Sequence, residues 1–194
     1  MSTENEPKNP AGGEEAKQFY RRLLLIVLFS LMAARLIGFA ENIGTRSLQL
    51  DFAAYFTAGE SLNRNLSPYK THIHENPPIW DGNTEFTHSR FLYPPLAAAL
   101  FKPFALLPYK DAKYLWTALI LFSVAAGVLL AVLTAGSDRD LNALLFIGTV
   151  VAGFYPVLVM LDLGQIDGVT FLLMMLVFRF TVADGRKGYL AGLF

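Results

Sequence analysis

The feature that most constrains this chain is a series of long apolar blocks separated by short polar breaks. Phe19 to Ala40 is the first, and 114–134, 141–159 and 166–182 follow. At about 1.5 Å of rise per residue, a helix of about 20 residues covers the roughly 30 Å hydrocarbon core of a bilayer. Inside lipid only a helix or a closed barrel satisfies its own backbone, and blocks of this length read as helices. The expected fold class is all-α, a polytopic transmembrane helical protein. Another apolar segment opens at 189 and the sequence stops within it at Phe194, which suggests the N-terminal part of a longer membrane protein.

Composition agrees. Hydrophobic residues make up 54% of the chain and charged residues only 16%, where a soluble domain carries about a quarter charged. A formal net charge of zero gives no electrostatic footprint for nucleic acid. The absence of cysteine excludes disulfide and thiolate chemistry.

Residues 1–18 are polar, with Pro7, Pro10, Gly12, Gly13 and four glutamates, and are expected to form a disordered cytoplasmic tail. They hold no apolar stretch that could serve as a signal peptide. Lys17, Arg21 and Arg22 flank the first span, which puts the N-terminus in the cytoplasm of a multi-pass protein of the cell membrane. Region 41–113 and the Gly164-Gln165 turn then fall outside, and Ser137–Asp140 and Arg186-Lys187 inside. Lys110 and Lys113 on the outer side run against the charge rule.

Between the first two spans, 51–65 places Phe52, Tyr55, Phe56 and Leu62 on one helical face, with Glu60, Asn63 and Arg64 off it. That predicts a helix lying on the outer membrane surface, ended by Pro68. Residues 70–90 read as a long polar loop. Pro95 suits a first helical turn. The apolar run 96–107, interrupted by Lys102-Pro103, predicts a second interfacial or re-entrant helix.

An ordered set of short motifs runs through these segments. It comprises Asp51 with Tyr55, Pro68-Tyr69, Phe91-x-Tyr93-Pro94-Pro95-Leu96, Leu106-Leu107-Pro108, Trp116, and Pro156 followed by Leu163-Gly164-Gln165. The set resembles glycosyltransferase family 87, the group also labelled DUF2029, over about 19–194. The resemblance implies a GT-C-like N-terminal module with outer-face interfacial helices. It implies inverting transfer of a hexose, mannose in the family's mannosyltransferases, from a polyprenyl-phosphate donor to a lipid or glycan hydroxyl. Asp51 matches the family's catalytic aspartate in the first outer loop. One departure is Gln165-Ile166-Asp167, where the family often has Gln-Val-Asn or a similar polar run. No cofactor or metal is implied; the partners are the lipid-linked donor, the acceptor and membrane lipids.

The residues can be set against that chemistry. The leaving group is a phosphate that is already anionic, so one carboxylate acting as base suffices, where an ordinary glycoside hydrolysis uses two. Without the resemblance, Asp51 reads first as a helix N-cap, and both roles can hold at once. Tyr55, Tyr69 and Tyr93 either contact substrate or sit in the aromatic belt at headgroup depth. Arg35, Arg90 and Lys102 either meet a lipid phosphate or anchor among headgroups. His72, His74 and His88, with Glu75 and Asp81, match no metal-ligand spacing. Gln165 and Asp167 lie in a break at membrane depth, and such backbone persists only when buried or lining a cavity. The substrate-binding residues expected are Tyr55, Tyr69, Arg90, Tyr93, Gln165 and Asp167. Two rival readings use the same segments. A transporter or lipid flippase would show inverted repeats and mid-membrane charges, and no internal repeat is visible. A catalytically inactive membrane subunit would keep the motifs.

Overall fold

The apolar blocks become helices. The computed structural model describes residues 10–46, 49–69, 90–134 and 141–183. In order these form α1 (Pro10–Arg46), α2 (Leu50–Asn63), α3 (Pro95–Leu100), a 3-10 turn at Phe104–Leu106, α4 (Tyr109–Thr134), α5 (Leu141–Gly153), α6 (Tyr155–Leu163) and α7 (Asp167–Ala183). No strand occurs among the described residues. Gly13–Asn42 of α1 and the whole of α4 are long and apolar enough to cross a membrane, and α5 with α6 makes a third crossing if the bent pair is one span.

Three boundaries depart from the expectations. First, α1 begins at Pro10, so 10–18 continue the helix of the first span. Extending an existing helix costs far less than nucleating one, and Lys17 pairs with Glu14 at 2.7 Å one turn away. Second, 141–159 is not one straight span. It breaks at Phe154, where α5 and α6 meet at 55°, and α6 runs on to Leu163. Pro156 has no N–H to offer the carbonyl of residue 152, and its ring crowds that carbonyl. Third, the 96–107 segment is two short pieces, because Lys102-Pro103 interrupts it. The expected fourth span, 166–182, appears as α7. Its 17 residues are about 26 Å long, just under the hydrocarbon thickness.

The long helices pack through small residues, as membrane helices do. Gly127 of α4 lies under the Phe171 ring of α7, and Gly168 of α7 lies against Ile120 of α4. Gly148 of α5 receives the Phe29 ring of α1. Much of the α1 surface, including Phe19, Leu24, Leu31 and Ile37, stays exposed, suited to lipid chains.

The buried core lies at one end of this bundle, and it is aromatic. Phe52 sits at its centre, stacked on Trp116 with ring centroids 5.8 Å apart and planes 13° apart. Tyr109, Phe101 and Phe104 surround the same ring. Leu36 and Phe39 from the far part of α1 pack against this cluster, as does Ile166. The end of α1, the start of α4 and the α6–α7 turn therefore share one end of the molecule with α2.

Helix α2 forms where expected, but it is buried on every side over 52–59. Small residues make this possible. A Cβ on Gly59 would stand 2.6 Å from the Phe101 carbonyl oxygen, so the backbones of α2 and the 101–102 turn touch. Thr57 and Ser61 satisfy their hydroxyls on the carbonyls of Ala53 (2.9 Å) and Thr57 (2.8 Å), which removes the cost of burying them.

Candidate functional site

The end of α6 and the α6–α7 turn are held by two hydrogen bonds, one from α4 and one from the residue before α2, and a third joins that residue to α4. Gly164 ends α6 with φ 69°, a left-handed conformation that glycine adopts without strain. Its carbonyl accepts a 2.8 Å hydrogen bond from Trp116 Nε1. Gln49, the residue before α2, donates from Nε2 to the Leu161 carbonyl at 2.8 Å and to Thr117 Oγ1 at 2.9 Å. Sequence reasoning gave Gln49 no role. Its only signal is a lone amide between two leucines, which says nothing about partners 68 and 112 residues away.

Against this frame sit the residues singled out above. Asp51 is half-buried in the first turn of α2. The N-cap position belongs to Gln49, so Asp51 is not the cap. Its carboxylate is placed favourably at the positive end of the helix. One turn on, Tyr55 is only 2% exposed and close enough to feel the Asp51 charge. The Tyr55 hydroxyl donates to the Tyr93 hydroxyl at 3.2 Å, and the two rings meet edge-on with centroids 5.3 Å apart. Burial drives the Tyr55 phenol far above its ordinary range, with Tyr93 and Asp51 adding to the effect. The Ile166 backbone acts on the same phenol in the opposite, weaker direction. Tyr55 is therefore a neutral donor throughout the physiological range.

Tyr69 joins from the other side. Its hydroxyl donates to the Tyr93 carbonyl at 3.2 Å, and its ring lies 5.9 Å from that of Phe91. Tyr69 and Tyr93 are both partly open, 46% and 42% exposed. Arg90 is exposed three residues before Tyr93. The structure thus brings Asp51, Tyr55, Tyr69 and Tyr93 into one neighbourhood, and Ile166 of the turn packs against the aromatic cluster that holds Tyr55.

Gln165 and Asp167 line a groove of about 550 Å³ between α4, α6 and α7. Its other walls are apolar, among them Val124, Tyr155, Val157, Met160 and Phe171. The break at Phe154 opens this space, and the two polar residues stand at the end where the groove meets the turn. Arg35 and Lys102 are exposed. Lys113, which runs against the charge rule, is buried near the start of α4. The histidines His72, His74 and His88, with Glu75 and Asp81, lie outside the described residues. Among the described residues, no group of three His, Asp or Glu is close enough to hold a metal.

A family model for glycosyltransferase family 87 matches residues 91–194, just over half of the chain. The chain belongs to glycosyltransferase family 87. No curated protein and no solved structure gives a match. The family 87 match contains Tyr93, Trp116 and the Gly164–Asp167 turn, and it begins after Asp51 and Tyr55. The hydrogen bond between Tyr55 and Tyr93 therefore joins the N-terminal wall of the site to the part that carries the family signature.

Proposed function

We propose that this family 87 protein is a membrane hexosyltransferase that takes its sugar, mannose by resemblance, from a polyprenyl-phosphate donor. It delivers that sugar to a hydroxyl of a lipid or glycan acceptor at the outer face of the cytoplasmic membrane. One observation carries the reading: Asp51, the tyrosines and the polar α6–α7 turn converge at one end of an apolar bundle. A donor with an isoprenoid tail keeps its tail in the bilayer and its sugar phosphate at the headgroups. A site at the end of membrane helices, beside an apolar groove, suits such a molecule.

The chemistry asks for one base. Asp51 takes the proton of the acceptor hydroxyl as the new bond forms from that oxygen to the anomeric carbon. The bond from the anomeric carbon to the phosphate oxygen breaks, and the phosphodiester leaves as a phosphate monoester. Attack opposite the leaving group inverts the anomeric centre. Because an oxocarbenium-like transition state makes the hydroxyl acidic late, a carboxylate is a sufficient base. Arg90 and the tyrosine hydroxyls supply donors, and Gln165 and Asp167 offer hydrogen bonds to sugar or acceptor hydroxyls. Lys17, Arg21 and Arg22 at the front edge of the first span favour a cytoplasmic N-terminus, and this end of the bundle is then read as the outer one.

Membranes containing the protein, supplied with labelled sugar on either polyprenyl phosphate or a nucleotide, test the reading. Label is expected to move to acceptor from the lipid phosphate and not from the nucleotide. Transfer from the nucleotide alone would contradict it.

A further inference from the structure

Burial and one hydrogen bond fix the direction in which one proton points. Tyr55 is almost wholly buried, and its own proton goes to the Tyr93 oxygen at 3.2 Å. The opposite order, with Tyr93 donating to Tyr55, would strand the Tyr55 proton in the core, and an unmet buried donor is costly. Tyr93, 42% exposed, is the member that can turn its proton outward. A chain of this kind also polarises its last member and makes it a stronger donor.

We propose that the Tyr93 hydroxyl donates to a phosphate oxygen of the lipid-linked donor, and that Tyr55 acts as a positioning residue that keeps this proton aimed outward. The proposal rests on the functional reading above. A phosphate oxygen only accepts, so it matches the Tyr93 hydroxyl, whose oxygen already receives the Tyr55 proton and whose own proton is left to donate. Arg90, exposed three residues earlier on the same segment, adds positive charge nearby. Negative charge grows on the phosphate as the sugar leaves, so this hydrogen bond strengthens in the transition state.

Tyr93→Phe tests the contact with little disturbance. The ring keeps its packing on Tyr55 and Phe91, and the bond from Tyr69 goes to the backbone of residue 93. In membranes, kcat/KM for the lipid-linked donor is expected to fall about tenfold or more, the worth of a hydrogen bond to a charged group. Inhibition by polyprenyl phosphate is expected to weaken by a similar factor, with the acceptor KM within twofold of wild type. Tyr55→Phe is expected to give a smaller loss of the same kind. A fluorinated tyrosine at 93, whose phenol ionises nearer neutrality, is expected to add an alkaline fall in donor binding that wild type lacks; a merely structural ring would add none. Unchanged inhibition by polyprenyl phosphate, or an effect confined to the acceptor KM, would overturn the proposal and leave the functional reading standing. No transfer by wild type from any lipid-linked hexose would overturn both.

Discussion

Trp116 and Gly164 are 48 residues apart in sequence, and the indole Nε1 of one donates to the carbonyl of the other at 2.8 Å. The bond ties the start of a membrane helix to the turn that closes the candidate site. The same indole stacks on Phe52, the next residue after Asp51. One side chain thus sets the distance between the proposed base and the polar turn.

Trp116→Phe keeps an aromatic ring and removes the donor. It leaves the Gly164 carbonyl without its partner, which is expected to cost about 1–3 kcal/mol. Thermal unfolding in detergent should show a clear drop in Tm, and transfer should fall with it.

Gly164→Ala should be more damaging. Its φ of 69° is unfavourable for a residue with a Cβ. That Cβ would also stand 2.7 Å from Phe52 Cβ and 2.9 Å from Gln49 Cβ, atoms that cannot rotate away. A loss of at least about 2 kcal/mol is expected, read as a lower Tm or poor recovery from membranes. Gly38→Ala on α1, where a Cβ meets nothing within 4 Å, is the control and should leave Tm unchanged or slightly raised.

Gly59→Ala tests the close approach of α2 to the 101–102 turn. The new methyl would press on the backbone at Phe101 and tilt α2, which carries both Asp51 and Tyr55. Activity should fall more steeply than stability, as measured by transfer rate against Tm on the same preparation.

Asp167→Asn addresses the groove. Asp167 stands in the first turn of α7 and lines the groove with Gln165. Losing a charged hydrogen-bond acceptor is expected to raise the acceptor KM about tenfold and to leave the lipid-linked donor KM unchanged. A rise in the donor KM instead would assign Asp167 to the donor sugar.

Much of the fold was legible because lipid leaves a chain few choices. The blocks at 19–40 and 114–134 had to be helices, and they are. The break near Pro156 was present in the sequence as a proline, but a run of apolar residues on both sides hid the 55° bend. The full burial of α2 was illegible for a different reason. Ala53, Ala54, Ala58 and Gly59 carry too little apolar surface to extend a stripe. Thr57 and Ser61 look like a polar face until their hydroxyls turn back onto the helix.

The candidate site was legible as a set of motifs and not as a geometry. Asp51, Tyr55 and Tyr93 were each singled out. That Tyr55 and Tyr93 touch is a fact of packing across 38 residues, which no local pattern encodes. The choice between cap and base for Asp51 was also open in the sequence, and Gln49 now holds the cap position.

The most direct test of the account compares wild type with Asp51→Asn, inserted equally in membranes, on labelled polyprenyl-phosphate mannose. The substitution keeps the size of the side chain and removes the base. A loss of at least about two orders of magnitude in transfer is expected, the usual worth of a general base, with donor binding little changed. Equal transfer by both proteins would contradict it and remove Asp51 from the chemistry.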